Sequence, residues 1–233
     1  MQIAEQDTTM KILILGATGM LGHGVLQECL AADDVQQVVT LGRSSVSLRH
    51  AKLLDLVQPN LFDLAAIESQ LTAFDVCFFC LGVSAYGMSE ADYSHLTYDL
   101  TVSVAKTLSR LNPQMTFIYV SGEGSDSSEQ GKSMWARVKG RTENALLQLP
   151  FKAVYLFRPG IIQPVHGMHS KTRIYRLFYK VMQPLLPILR HLFPDSVLTT
   201  KVVGQAMLNA ARKGSGKQVI NSKGINQLSA DIH

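Results

Sequence analysis

The residues Ile12-Leu13-Ile14-Leu15-Gly16-Ala17-Thr18-Gly19-Met20-Leu21-Gly22 set an apolar run ahead of three glycines at fixed offsets. The chemistry such a pattern offers is anion binding by the main chain. Gly16 permits a tight turn, Gly19 lets the backbone approach a pyrophosphate, and Gly22 lets a helix pack closely on the strand before it. The first N–H groups of that helix then point at the phosphates, helped by the helix dipole. An isolated glycine triplet says little. Here it follows an apolar strand-like run and opens a segment of helical spacing, which is the context the motif requires. Gly16, Ala17, Thr18, Gly19, Met20, Leu21 and Gly22 are therefore expected to cradle a dinucleotide.

A second group of residues bears on which dinucleotide. An acidic residue that grips the ribose of NAD stands at the end of the second strand, about 20 residues beyond the glycines. The corresponding segment here is Gly42-Arg43-Ser44, with no carboxylate. A guanidinium meets phosphate oxygens with two parallel hydrogen bonds, so Arg43 suits a ribose 2′-phosphate. The expected cofactor is NADP(H), ahead of NAD(H). Two further spacings suggest chemistry and are read as packing or loop residues. Cys77 and Cys80 form a C-x-x-C inside the apolar run Val76–Leu81, where strand alternation sends them to opposite faces. His166 and His169 have no carboxylate or cysteine near them in sequence, and no metal site is expected.

Elements able to position these residues alternate along the chain. Strand-like runs fall at 11–15, 37–41, 52–57, 75–81, 115–120 and 153–157. Helical spacing falls at 20–32, 64–71, 91–111 and 132–149. Repeated β–α units predict an α/β fold with a doubly wound parallel sheet over 10–165. The pattern changes after about 162. Residues 171–192 are long, basic and apolar with prolines, 199–212 read as a helix and 217–220 as a late strand. A small, mostly helical C-terminal lobe over 166–233, packed on the same domain, is expected. The polar loop 122–131 is expected to be mobile.

In order, the blocks Gly16–Gly22, Leu41-Gly42-Arg43, Phe79-Cys80-Leu81-Gly82, Val120-Ser121-Gly122, Val138-Lys139-Gly140 with Glu143, and Phe157-Arg158-Pro159-Gly160 resemble the short-chain dehydrogenase/reductase superfamily. The likeness is to its atypical branch, with the Tat-interacting oxidoreductase-like and NmrA-like proteins, and covers roughly residues 10–165. It implies a Rossmann fold and nicotinamide chemistry. In that family a serine, a tyrosine and a lysine four residues after the tyrosine carry hydride transfer. Ser121 and Lys139 match the serine and lysine. The tyrosine position holds Trp135, whose indole is a donor only and has no proton to exchange near neutral pH. Ordinary tyrosine-driven reduction is therefore expected to be weak or absent, leaving a cofactor-sensing or regulatory role. The alternative is an active oxidoreductase or epimerase with another acid. Tyr86, after the Leu81-Gly82 loop, is the candidate, whereas Tyr93, Tyr98 and Tyr119 read as structural. The resemblance also implies that Lys139, Pro159 and Gly160 lie by the nicotinamide and Asn60 by the adenine, with Leu81 and Gly82 also binding the cofactor.

Bulk properties narrow the partners. A net charge of +4 over 233 residues is too small an excess to argue for nucleic acid. The longest apolar stretch, 181–193, is interrupted by prolines and charges and falls short of the about 20 residues needed to span a bilayer. Three cysteines and a polar start to the chain suggest a reducing compartment without a secretory leader, read as cytoplasmic. The basic amphipathic stretch 171–193 is a candidate for peripheral membrane contact. The resemblance implies a possible homodimer through the helices at 91–111 and 132–149. The other expected partner is an unidentified small-molecule substrate or protein.

Overall fold

The computed structural model describes residues 9–165 and 196–230. Strand β1 (Met10–Leu15) leads through the glycine turn into α1 (Met20–Ala31), and β2 (Val35–Gly42) and β3 (Leu53–Val57) follow. A 3-10 helix (Ala65–Gln70) precedes β4 (Val76–Phe79). Next come α2 (Glu90–Ser94), a π segment (His95–Asp99) and α3 (Leu100–Leu111), run together without a break. Strand β5 (Thr116–Val120), α4 (Met134–Leu147) and β6 (Ala153–Arg158) complete the alternating part. Beyond it lie β7 (Ile161–Gln163), β8 (Val197–Thr199), α5 (Thr200–Lys213), β9 (Val219–Asn221) and α6 (Ser222–Ala230).

Seven strands form one sheet in the order β3-β2-β1-β4-β5-β6-β9, and every pairing is parallel. This is the doubly wound arrangement expected from the sequence, with the order reversing between β1 and β4. Parallel strands covered on both faces read as unbroken apolar runs, and each residue of β4 and β5 is buried. The two-residue period divides these side chains between two cores. Ile12, Ile14, Phe78 and Ile118 pack with α1 and α5 on one face. Leu13, Leu15, Cys77, Phe79, Phe117 and Tyr119 pack with α3 and α4 on the other. Cys77 and Cys80 indeed part company, the first in one core and the second against the other.

The described part of the C-terminal region is bound into this sheet. Strand β9 pairs with β6, placing Asn221 opposite Arg158. Helix α5 lies on α1, where the bidentate pair Arg212–Asp34 joins its end to the turn before β2. The histidines at 166 and 169 and the basic stretch 171–193 lie outside the described residues. The helix expected over 91–111 contains the π segment, an extra residue in the helical repeat that a 3.6-residue pattern conceals. The helix expected at 64–71 is a short 3-10 helix, Ala65–Gln70.

Candidate functional site

The glycine turn has the geometry that the sequence required of it. Gly16 adopts φ +86°, and a β-carbon there would stand 2.7 Å from the Cys80 carbonyl carbon. A β-carbon on Gly22 would stand 2.2 Å from the Gly16 carbonyl oxygen. Neither position admits a side chain, because each packs backbone against backbone. The turn closes with Gly19 N–H donating to the Gly16 carbonyl at 2.9 Å. Gly19 caps α1 without a side-chain acceptor, and no acidic residue occupies the first turn. The positive end of α1 is thus left for an external anion, at the switch point where strand order reverses. A pyrophosphate fits this cradle.

One cavity continues from it and a second shares residues with the first. One, of about 100 Å³, is lined by Gly16–Thr18, Thr40–Ser44, Val46, Asp55, Leu61 and Leu81. The other, of about 240 Å³, includes Arg43, Asn60, Leu61, Leu81, Gly82 and Val83. Arg43 lines both, and the structure brings the remote Asn60, Leu81 and Gly82 to the same mouth. Sequence reasoning missed Asp55. It comes from β3 and sits opposite Thr40 in the ladder. Its Oδ1 accepts from Thr40 Oγ1 at 2.5 Å, and its Oδ2 from Ser45 Oγ at 2.6 Å and Val46 N–H at 3.0 Å. A carboxylate therefore does line this cavity, supplied by the third strand and not the second.

The second half of the site gathers at the ends of β5 and β6. Ser121 Oγ lies 2.8 Å from Ser125 Oγ, and its N–H donates to the Phe157 carbonyl at 2.8 Å. Trp135, near the start of α4, lays its six-membered ring over this loop. A β-carbon on Gly124 would be 3.3 Å from Trp135 Cη2. One turn further along α4, Lys139 is buried, and its Nζ donates to Tyr119 OH at 3.2 Å and the Val120 carbonyl at 3.4 Å. Burial pulls the Lys139 ammonium pKa from 10.5 down to about 8, with Glu143 opposing the shift. Burial likewise pushes the Tyr119 phenol well above the usual tyrosine range. Tyr119 packs in the core as expected, and it is also the partner of Lys139, a pairing across 20 residues that no spacing rule reveals. Tyr86 stands apart on the loop after β4, 79% exposed.

Glu143 and Arg158 fasten these pieces together. Arg158 donates from Nε to Glu143 Oε1 at 2.9 Å and from NH2 to Oε2, and also to Ser127 Oγ at 2.6 Å. The Glu143 carboxylate holds the guanidinium pKa above its usual range. Pro159 accepts from Glu123 N–H at 2.9 Å, and Gly160 N–H donates to Ser222 Oγ at 2.8 Å. The loop expected to be mobile is tied down among the described residues. Asp126 accepts from Ser128 and Gly131, which holds its carboxyl below the usual range. Asn144 donates to the Ser127 carbonyl and Glu129. Among the described residues no three His, Cys, Asp or Glu side chains form a cluster able to hold a metal.

A parallel sheet in this order, with a glycine cradle at its switch point, defines a dinucleotide-binding Rossmann protein. The chain belongs to the NAD dependent epimerase/dehydratase family, whose profile matches residues 12–133. It is 26% identical over 216 residues to "Protein fmp52, mitochondrial" of Emericella nidulans, covering 89% of this chain and 90% of that one. It is 26% identical over 154 residues to "Protein HTATIP2" of Rattus norvegicus, covering 65% of this chain and 62% of the relative. Among solved structures it is similar to the Bordetella bronchiseptica enzyme WbmF in complex with NAD+. The TM-score is 0.64 at 13% identity, over 97% of this chain and 78% of that one, a likeness of fold. These relatives overturn one expectation. The sequence suggests a cytoplasmic protein, whereas several fmp52 relatives are named mitochondrial. Internal composition carries the folding problem and not the address, so it could not separate the two. No described helix is long and apolar enough to cross a membrane.

Proposed function

We propose that this protein binds NADP(H) in preference to NAD(H) and has little or no ordinary tyrosine-driven reductase activity, acting as a cofactor-state sensor or regulator. The pyrophosphate lies on Gly16–Gly22, Arg43 takes the 2′-phosphate, and Asn60, Leu81 and Gly82 flank the adenosine. Ser121, Lys139, Pro159 and Gly160 face the nicotinamide half. The observation that carries the reading is the local pairing of Lys139. Trp135 occupies the position four residues before it, and the tyrosine that its Nζ does reach, Tyr119, is wholly buried in the core. A phenol sealed from solvent cannot exchange a proton with a substrate oxygen.

The test has two parts. Equilibrium titration should give tighter binding of NADP(H) than NAD(H), with the difference lost in Arg43→Ala; equal affinities would refute the cofactor assignment. Stopped-flow hydride transfer from NADPH to a panel of aldehydes and ketones should give no burst. The exposed Tyr86 supports a second reading, an active oxidoreductase or epimerase with that phenol as acid. Turnover that disappears in Tyr86→Phe would establish it and displace the first.

A further inference from the structure

We propose that Asp55 sets the cofactor selectivity of this site as a positioning residue, by folding the Gly42–Val46 turn so that Arg43 stands at the cavity mouth. The inference rests on the NADP(H) reading above and adds the device that makes Arg43 effective. Arg43, Ser44 and Ser45 are exposed and follow the last residue of β2, so the ladder ceases to hold them at Gly42. An arginine on a free turn loses much of its phosphate binding to the entropy of fixing its place. Here the turn is not free. Asp55 reaches across from β3 and takes Ser45 Oγ and Val46 N–H on one oxygen, and the Thr40 hydroxyl on the other. Thr40 is 1% exposed and Val46 8%, so the carboxylate links the buried floor of the cavity to the far end of the turn. Arg43 lies between those two anchors.

The same bonds decide what Asp55 does not do. In NAD-binding folds a carboxylate at this cavity accepts from the ribose 2′-hydroxyl. Asp55 instead has three protein donors, including a backbone N–H that cannot turn away. Its charge also sits on the same cavity wall as Arg43, so direct action on a 2′-phosphate would be repulsive. Positioning through hydrogen bonds and repulsion through charge therefore predict opposite outcomes for Asp55→Ala and different outcomes for Asp55→Asn.

The readout is the ratio of NADP+ to NAD+ affinity, measured by calorimetric titration of the full chain. Overall loss of stability affects both ligands alike and cancels. Asp55→Ala is expected to lower the ratio about five- to ten-fold, the scale of one charge-assisted contact. Asp55→Asn should stay within about two-fold of the parent, because its oxygen can serve Ser45 and Val46 while its amide donates to Thr40. Ser45→Ala, on the exposed side, keeps the test open should Asp55→Ala fold poorly, and should lower the ratio about two- to three-fold. In an Arg43→Ala background neither Asp55→Ala nor Ser45→Ala should move it. The inference is overturned if Ala and Asn at 55 act alike, if the ratio rises, or if it falls as far without Arg43. An unchanged ratio in Arg43→Ala alone would instead refute the NADP(H) reading, and this inference with it.

Discussion

Replacing Arg158 by Met should destabilise the protein far more than replacing its partner Glu143 by Leu. The two side chains form one bidentate pair, yet their surroundings differ. The Glu143 side chain is 1% exposed and that of Arg158 19%. Removing Arg158 leaves the Glu143 carboxylate buried on α4 with only the charge of Lys139, one turn earlier, to offset it, and breaking a buried pair in this way costs about 3–5 kcal/mol. Removing Glu143 leaves a guanidinium that keeps its Ser127 contact at 2.6 Å and can extend its planar head to water. That loss is about 1–3 kcal/mol, the scale of an incompletely satisfied group. In a chain of this size 1 kcal/mol moves Tm by about 2–4 °C, so Arg158→Met should melt about 10 °C below the parent and Glu143→Leu about half as far. Calorimetry at one pH and salt concentration measures both. Equal losses, or a greater loss for Glu143→Leu, would refute the claim that the desolvated carboxylate dominates this pair.

Other outcomes follow from the same structure. Gly22→Ala should abolish the stabilisation by NADP(H) seen in a thermal-shift assay, since its β-carbon meets the Gly16 carbonyl oxygen at 2.2 Å; a normal shift would show that the cradle is not the binding site. Lys139 binds fewer protons folded than unfolded between about pH 8 and 10.5, so folding stability rises with pH across that window. The stability of the parent relative to Lys139→Met should therefore improve from pH 8 to 10.5, and a flat difference would refute its desolvation. Arg212→Ala should cost less than about 1 kcal/mol and the loss should shrink in high salt, because the pair with Asp34 is 31% and 37% exposed and solvent screens it.

The sheet and the cradle were legible because their signals are local. The short apolar run Val76–Leu81 between Asp75 and Gly82 has the length and composition of a covered strand, and Gly22 is required by the Gly16 carbonyl within its own turn, as Gly16 is by its positive φ. What escaped notice depends on contacts far apart in sequence. Asp55 looks like a lone charge between Leu54 and Leu56, and its role appears only when the ladder sets it against Thr40. Tyr119 belongs by pattern to an apolar strand, and nothing local announces that Lys139 will reach it. The 122–131 loop reads as polar and loose, yet Asp126 followed by Ser128 and Gly131 is the composition of a side-chain-capped turn. The place of β9 beside β6 was equally hidden, since three residues of strand carry no order of their own.

Helix α1 opens the phosphate cradle, and its buried residues Val25, Leu26 and Cys29 are covered by the sheet and by α5, which begins about 170 residues later in the chain. During synthesis the glycine turn therefore emerges well before α5, and this face of α1 lacks its α5 contacts until Lys213 has cleared the ribosome. A chain halted between β6 and α5 would carry the whole glycine turn together with an α1 covered only on its sheet side, leaving apolar surface of the kind that chaperones and proteases engage. The residues that form the cradle and the helix packed behind it are thus separated by the whole alternating β–α part of the chain.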